Sequence, residues 1–328
     1  MALLIVRYLH QGVIRWGKLV SQAPSAAAAH IEVAPLKTNA ITTASLIAAF
    51  DARELDEVEE PVSLKAAALL TPVTSDATLV CQGLNYVSHA AEARHHERKQ
   101  NLFFAKASSS LTGPFSNIER PPDVQLLDYE VEFAVVLRDT LGPGSTVDDE
   151  NLGDYVAGVV LCNDVSARDT MFGASFLQWY QGKSYRTFCP AGPVLYLLEK
   201  TEAPNVLANL EIKLWVNGEV RQSASSSQLI FKPAQTLNQL SKIVDLKAGD
   251  LLLTGTPGGV TAPASPKLIE ILKTNLMADD VRRDALRAEM AAFRPFLKPG
   301  DVVTATLHDR ALDTSLGGLE NYITAVKQ

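Results

Sequence analysis

With 328 residues, 47% of them hydrophobic and 20% charged, the chain can bury a real core as one large domain or two ordinary ones, and its bulk is not disordered. Its 30 basic and 37 acidic side chains give a formal charge of −7, which argues against nucleic acid or an anionic membrane as partner. The apolar run Ala2 to Val6 stops at Arg7, far short of the roughly 20 residues that span a bilayer, and three cysteines without CxxC spacing fit a reducing cytoplasm.

Residues 3–20 alternate weakly about His10-Gln11-Gly12 and read as a hairpin. The hairpin opens a small N-terminal region, residues 1–75. Residues 71–77 are loop-like, and a strand over 78–81 begins the larger unit, 76–328. Further strands are expected at 129–137, 155–162, 194–198, 210–216, 250–254, 302–307 and 320–325. Helical periodicity is clearest at 89–98, 234–243 and 267–293. Strands outnumber helices and do not alternate with them, so the class is β-rich α+β rather than a doubly wound sheet.

Residues 127–137 read LDYEVEFAVVL. On a strand, Leu127, Tyr129, Val131, Phe133, Val135 and Leu137 share one face, and Asp128, Glu130, Glu132, Ala134 and Val136 share the other. Three carboxylates on a face that turns apolar are costly without compensation, and a hard cation with oxygen ligands compensates them. A solvent-exposed acidic face is the competing reading. A second acidic site follows the apolar strand 155–162, at Asn163-Asp164, where Asp164 can complete an oxygen shell or cap a turn. No His/Cys group has zinc spacing, so Mg²⁺, Mn²⁺ or Ca²⁺ is favoured over Zn²⁺.

Upstream, Ser88 is a candidate N-cap, and His89 and Glu92 meet at i,i+3 on one helix face. A carboxylate beside an imidazole suits a general base; a plain surface pair is the alternative. His95 and His96 read as part of a solvated face. Lys183 follows a glycine, and Leu251 to Val260 is a strand entering a glycine turn whose N–H groups can receive a carboxylate. A surface lysine and an ordinary loop are the plain readings.

The segments GLNYVSHAAEA, FFAKASSSLTGP, DYEVEFAVVL, CNDVSARD, GKSYRTFCPAGP and LLTGTPGGV, in this order, resemble the fumarylacetoacetate hydrolase family over roughly residues 78 to 260. The resemblance implies a mixed β-sandwich roll around a metal, with the short N-terminal domain of the bacterial members, assembled as a homodimer. It places Mg²⁺ or Mn²⁺, with Ca²⁺ as a crystal substitute, on Glu130, Glu132 and Asp164. It makes His89 and Glu92 a lid dyad and Lys183 a substrate-contacting lysine. Thr254, Gly255 and Thr256 would meet the substrate, and Gln178 and Tyr180 are further pocket candidates. The lid must close to bring His89 within reach, so a free chain can hold it away from the metal.

The implied activity is metal-dependent hydrolysis of a C–C bond in a 1,3-diketo acid such as an acylpyruvate or fumarylacetoacetate. The alternative is isomerisation or decarboxylation of a hydroxymuconate-type diacid, or of oxaloacetate, on the same site. Three departures stand out. No acidic residue lies between Cys81 and Ser88, which favours a three-carboxylate site. Arg186 stands where many relatives carry an aspartate. Residues 262–297 form an inserted helical segment, whose default reading is decoration rather than a cover for the pocket or an interface.

Overall fold

The computed structural model describes residues 2–57, 60–92, 99–262, 265–274 and 277–326. His95 and His96 lie outside these residues.

The strand Val131–Leu137 is buried at every position. Its odd and even side chains nonetheless go to different places, as the period of two requires. Val131, Phe133 and Val135 join a core that includes Ile212, Leu214, Leu319 and Ile323. Ala134 and Val136 join another with Leu46, Ile47, Leu251 and Leu253. Burying one such side chain as large as Phe133 stabilises the fold by about 1.5–3 kcal/mol. The strand is therefore central. It pairs antiparallel with Val156–Asn163 on one side and with Leu251–Leu253 on the other.

These strands belong to one long sheet that continues through Leu79–Gly83 and Leu102–Lys106 in one direction. In the other direction it runs through Leu195–Leu197 to Leu3–His10. A five-stranded sheet, containing Leu210–Val216, Val302–Asp309 and Thr314–Ala325, supplies the other layer. The β-rich mixed fold expected from the sequence is the fold observed.

The N-terminal hairpin forms as Leu3–His10 and Val13–Leu19. Its two turn residues, Gln11 and Gly12, both have positive φ, the backbone that a tight two-residue hairpin turn needs. Leu3 stands opposite Leu197, and Ile5 opposite Leu195, so the N-terminal strands extend the same sheet as residues beyond 76.

The single helix expected at 267–293 is two helices, Pro266–Thr274 and Asp279–Met290. Asp279 and Asp280 sit in the first turn of the second, where the helix dipole favours negative charge and a new helix starts well.

Candidate active site

Four secondary-structure ends meet at the edge of the central strand. Glu130 lies just before Val131–Leu137, and Glu132 lies within it. Asp164 follows Val156–Asn163, and its N–H donates to the Glu130 carbonyl at 2.8 Å. Cross-strand pairing sets Val131 opposite Asn163 and Glu132 opposite Cys162. As a result one oxygen from each of Glu130, Glu132 and Asp164 lies within 4.8 Å of the other two, and all three residues are buried. The third carboxylate expected on this face, Asp128, is not in that group. The backbone leaves the strand between Asp128 and Val131. Asp128 instead accepts from the Thr261 and Ala262 N–H groups at 3.0 and 3.1 Å.

Buried carboxylates need partners. Lys183 Nζ donates to Glu130 Oε2 at 2.7 Å and to Asp164 Oδ2 at 2.6 Å. Lys106 Nζ donates to Asp164 Oδ1 at 2.7 Å and to the Lys183 carbonyl. Arg168 spans Asp128, 2.9 Å from its Nε, and Glu130, 2.5 Å from its Nη2. Burial pushes Glu130 up, but Lys183 and Arg168 outweigh it and hold the carboxyl at about 2. Burial pulls Lys183 and Arg168 down, and the carboxylates reverse this, so both stay protonated. Glu132 has no such cation in contact. Burial first, then the charges of Asp164 and Glu130, push it well above the usual carboxylate range, opposed by the Gly255 N–H at 2.7 Å. An all-oxygen set with one carboxyl held up by like charge fits a hard divalent cation.

The glycine turn is built around these acids. Gly255 has φ +93, and a Cβ there would stand 2.9 Å from the Gln82 carbonyl, so only glycine delivers its N–H to Glu132 without strain. The Thr254 hydroxyl donates to the Phe133 carbonyl at 2.7 Å and the Thr256 hydroxyl to the Val131 carbonyl at 2.9 Å. Both fasten the turn to the strand; Thr256 also lines the cavity described below.

The helix Val87–Glu92 is docked on the same turn. Ser88 Oγ accepts from the Gly258 N–H, and Glu92 Oε1 from the Gly259 N–H, each at 3.0 Å. His89 Nδ1 lies 3.4 Å from Glu92 Oε2, with the histidine side chain 15% exposed. The expected withdrawn lid is thus not what this chain adopts: two glycine N–H groups hold the helix over the site.

A cavity of about 200 Å³ opens between His89, Glu130, Arg168 and Lys183. Its remaining wall is largely apolar and includes Phe104, Met171, Phe172 and Trp179. Leu268, Ile269 and Leu272 of Pro266–Thr274 also line it. The insertion is therefore part of the pocket and not decoration: Leu268 and Leu272 of its i, i+3, i+4 apolar stripe, with Ile269 beside them, reach the cavity wall.

Gln178 and Tyr180 are not brought to the cavity. Both are exposed, and Gln178 Nε2 donates to the Ser175 carbonyl. In the helix Trp179–Lys183, Trp179 and Lys183 stand one turn apart and face inward, which turns their neighbours out. Arg186 is exposed, so its departure from the family pattern leaves the acidic cluster untouched. Lys106 and Arg168 were not singled out from the sequence. The only signal for them was a basic residue inside FFAKASS, an otherwise apolar or small segment, and one four residues after Asp164 in CNDVSARD. All three cysteines are free and buried.

The C-terminal domain model of fumarylacetoacetate hydrolase matches residues 78–324. The chain belongs to this family. Oxaloacetate tautomerase FAHD2A, mitochondrial, of Bos taurus is 40% identical over 191 residues, 58% of this chain and 59% of that one. Oxaloacetate tautomerase fahd2, mitochondrial, of Xenopus laevis is 35% identical over 70% of this chain and 68% of its own. Thus the match spans less than two thirds of the bovine relative's length. Among solved structures, a probable 2-hydroxyhepta-2,4-diene-1,7-dioate isomerase from Mycobacterium abscessus is 26% identical, with a TM-score of 0.70 over the whole of both chains. Fumarylacetoacetate hydrolase from Exiguobacterium antarcticum is also 26% identical, with a TM-score of 0.68 over 99% of this chain and 100% of its own. No helix among the described residues is long and apolar enough to cross a membrane.

Proposed function

We propose that this member of the fumarylacetoacetate hydrolase family interconverts the keto and enol forms of a small 2-oxo acid, for which oxaloacetate is the reference substrate. The relatives named above shift the weight from C–C bond hydrolysis, the first expectation, to the isomerising alternative. The observation that carries the reading is the docked His89. It is an acid–base group sharing a cavity with one buried carboxylate, Glu130, and the cations Arg168 and Lys183, and most of the remaining lining is apolar. Moving a proton between carbon and oxygen needs such a group and no water, whereas hydrolysis needs water delivered to the carbonyl.

Glu130, Glu132 and Asp164 would hold Mg²⁺ or Mn²⁺. Bound there, the ion supplies Lewis acidity toward the 2-oxo and carboxylate oxygens. His89, oriented by Glu92, takes a proton from C3 of the keto form. The C–H electron pair becomes the C2–C3 double bond, and the carbonyl π pair moves onto the C2 oxygen. The imidazolium then returns the proton to that oxygen, which closes the balance. Lys183 cannot be the base, because its two carboxylate partners keep it protonated. It serves as a fixed positive charge and keeps Glu130 ionised. We further propose a homodimer, which sedimentation would test directly.

The test follows C3 hydrogen–deuterium exchange of oxaloacetate by NMR in D₂O with Mg²⁺ or Mn²⁺, beside assays for pyruvate and carbon dioxide. Exchange well above the buffer rate without cleavage products supports the tautomerase. Cleavage of an acylpyruvate at a comparable turnover would restore the hydrolase, and exchange at the buffer rate would remove oxaloacetate as the reference substrate.

A further inference from the structure

The cavity is polar at one end only. Lys183 Nζ stands 5.1 Å from the Phe104 ring centroid, and from there the wall leads away from the carboxylates. Phe104 packs on Trp179 with centroids 5.2 Å apart, and Trp179 meets Phe172 edge-on at 6.2 Å. Phe172, Leu272 and Ala262 in turn pack against the buried cluster that contains Leu268. No cation faces this far end among the described lining residues. Arg168, the nearest guanidinium, already serves Asp128 and Glu130, and its Nη1 points at the Met171 sulfur at 3.8 Å.

The far wall is also firmly held. Leu268 is buried against Leu286 and Met290 of the second inserted helix. That helix is tied to the pocket's own segment. Arg287 Nη2 donates to Asp169 Oδ2 at 3.0 Å and to the Asp123 carbonyl at 2.8 Å. Arg282, fully buried, donates to the Ala174 carbonyl. The residues between these anchors, Arg168 to Phe172, supply both the acid-pairing arginine and the aromatic wall.

We infer that the preferred substrates are 2-oxo acids carrying an apolar alkyl or aryl group on C3, rather than a second carboxylate, and that the helix Pro266–Thr274 makes this choice. The inference rests on proton transfer at C3 in this same pocket. With its 2-oxo and carboxylate oxygens at the polar end, a substrate projects its C3 substituent along Phe104 and Trp179 toward Ile269 and Leu272. An apolar group gains contact there. A carboxylate would be stripped of water with no cationic partner among the described residues, which binding sites reject strongly.

The experiment compares phenylpyruvate, 4-methyl-2-oxopentanoate and oxaloacetate by C3 exchange, in wild type, Leu272→Arg and Ile269→Lys. In the wild type kcat/KM is expected to favour phenylpyruvate over oxaloacetate by at least about tenfold, the size of a few buried carbons. Either cationic variant that folds should move the ratio at least about tenfold toward oxaloacetate. A wild type that prefers oxaloacetate, or variants that fold and leave the ratio unchanged, would overturn the assignment. Calorimetry with two non-enolisable oxamates separates this from the reaction itself: oxanilate carries a phenyl tail and N-oxalylglycine a carboxylate tail. Oxanilate is expected to bind at least about tenfold more tightly. If none of the three acids exchanges, the tautomerase reading fails, and the order of the two oxamates still decides the pocket's preference.

Discussion

Replacing Lys183 by Met removes a buried charge while keeping most of the side-chain volume. The ammonium is 1% exposed and bridges Glu130, 7% exposed, and Asp164, fully buried. Breaking a buried ion pair from one side costs roughly 3–5 kcal/mol, because the abandoned carboxylates keep their desolvation penalty. Acid should report the same interaction. Glu130 is held at about 2 in the folded chain, against 4.5 ordinarily. Its folded pKa is the lower one, so its contribution is present above about 4.5 and is lost as the pH falls toward 2. The size of the shift makes this about 3 kcal/mol at neutral pH for the cations around Glu130 net of its burial. In Lys183→Met, burial still pushes Glu130 up with only Arg168 and His89 left to oppose it, so acid unfolding should begin at a higher pH. Urea melts at pH 7 and an acid titration followed by circular dichroism measure both effects. The double variant Lys183→Met with Glu130→Gln should recover part of the loss. A single variant within about 1 kcal/mol of wild type, with an unmoved acid transition, would refute the buried bridge.

Chelation should lower the melting temperature and abolish C3 exchange, with Mg²⁺ or Mn²⁺ restoring both; a chelator-treated protein with full exchange and an unshifted melt would rule out the three-carboxylate centre. Glu132→Gln should remove the metal-dependent melt shift while the protein stays folded, since it relieves a group strained by like charge. His89→Ala should reduce kcat by about 10²–10⁴-fold and leave the metal-dependent melt shift intact; unchanged turnover would take the dyad out of the chemistry.

The alternation of Val131–Leu137 was legible because the strand is buried on both faces, and so each face must be sorted by chemistry. The alternation put Asp128, Glu130 and Glu132 on one face, a second apolar strand offered Asp164 at its end, and the family resemblance narrowed the set to Glu130, Glu132 and Asp164. What stayed hidden was long-range. Lys106 bonds an aspartate 58 residues away and a carbonyl 77 residues away, separations with no local signature. Gln178 and Tyr180 were read without the phase of a five-residue helix. One residue of phase decides whether Trp179 or its neighbours face the cavity. The inserted helix announced an apolar stripe at Leu268, Ile271 and Leu272, but a stripe says that something is covered, not what. The pairing of Leu3 with Leu197 belongs to the same class: each strand was visible, and their adjacency was not.

The charges in the centre bear on the choice of substrate independently of the pocket's shape. Asp128, Glu130, Glu132 and Asp164 face Lys106, Lys183 and Arg168, four buried acids against three buried cations. Burial and that excess of negative charge both favour a proton on Glu132. A divalent ion that displaces this proton leaves the centre one positive charge in excess. A monocarboxylate 2-oxo acid cancels that excess, whereas a dicarboxylate overshoots it and leaves a negative charge buried at the apolar end, where no described residue offers it a cation. Metal and monoanion should therefore bind cooperatively, and raising the pH from below to above the titration of Glu132 should strengthen metal binding, because the ion no longer has a proton to displace. The dicarboxylate should show weaker coupling to the metal than the monocarboxylate in the same titration. Equal coupling for the two would mean that the excess charge is neutralised elsewhere.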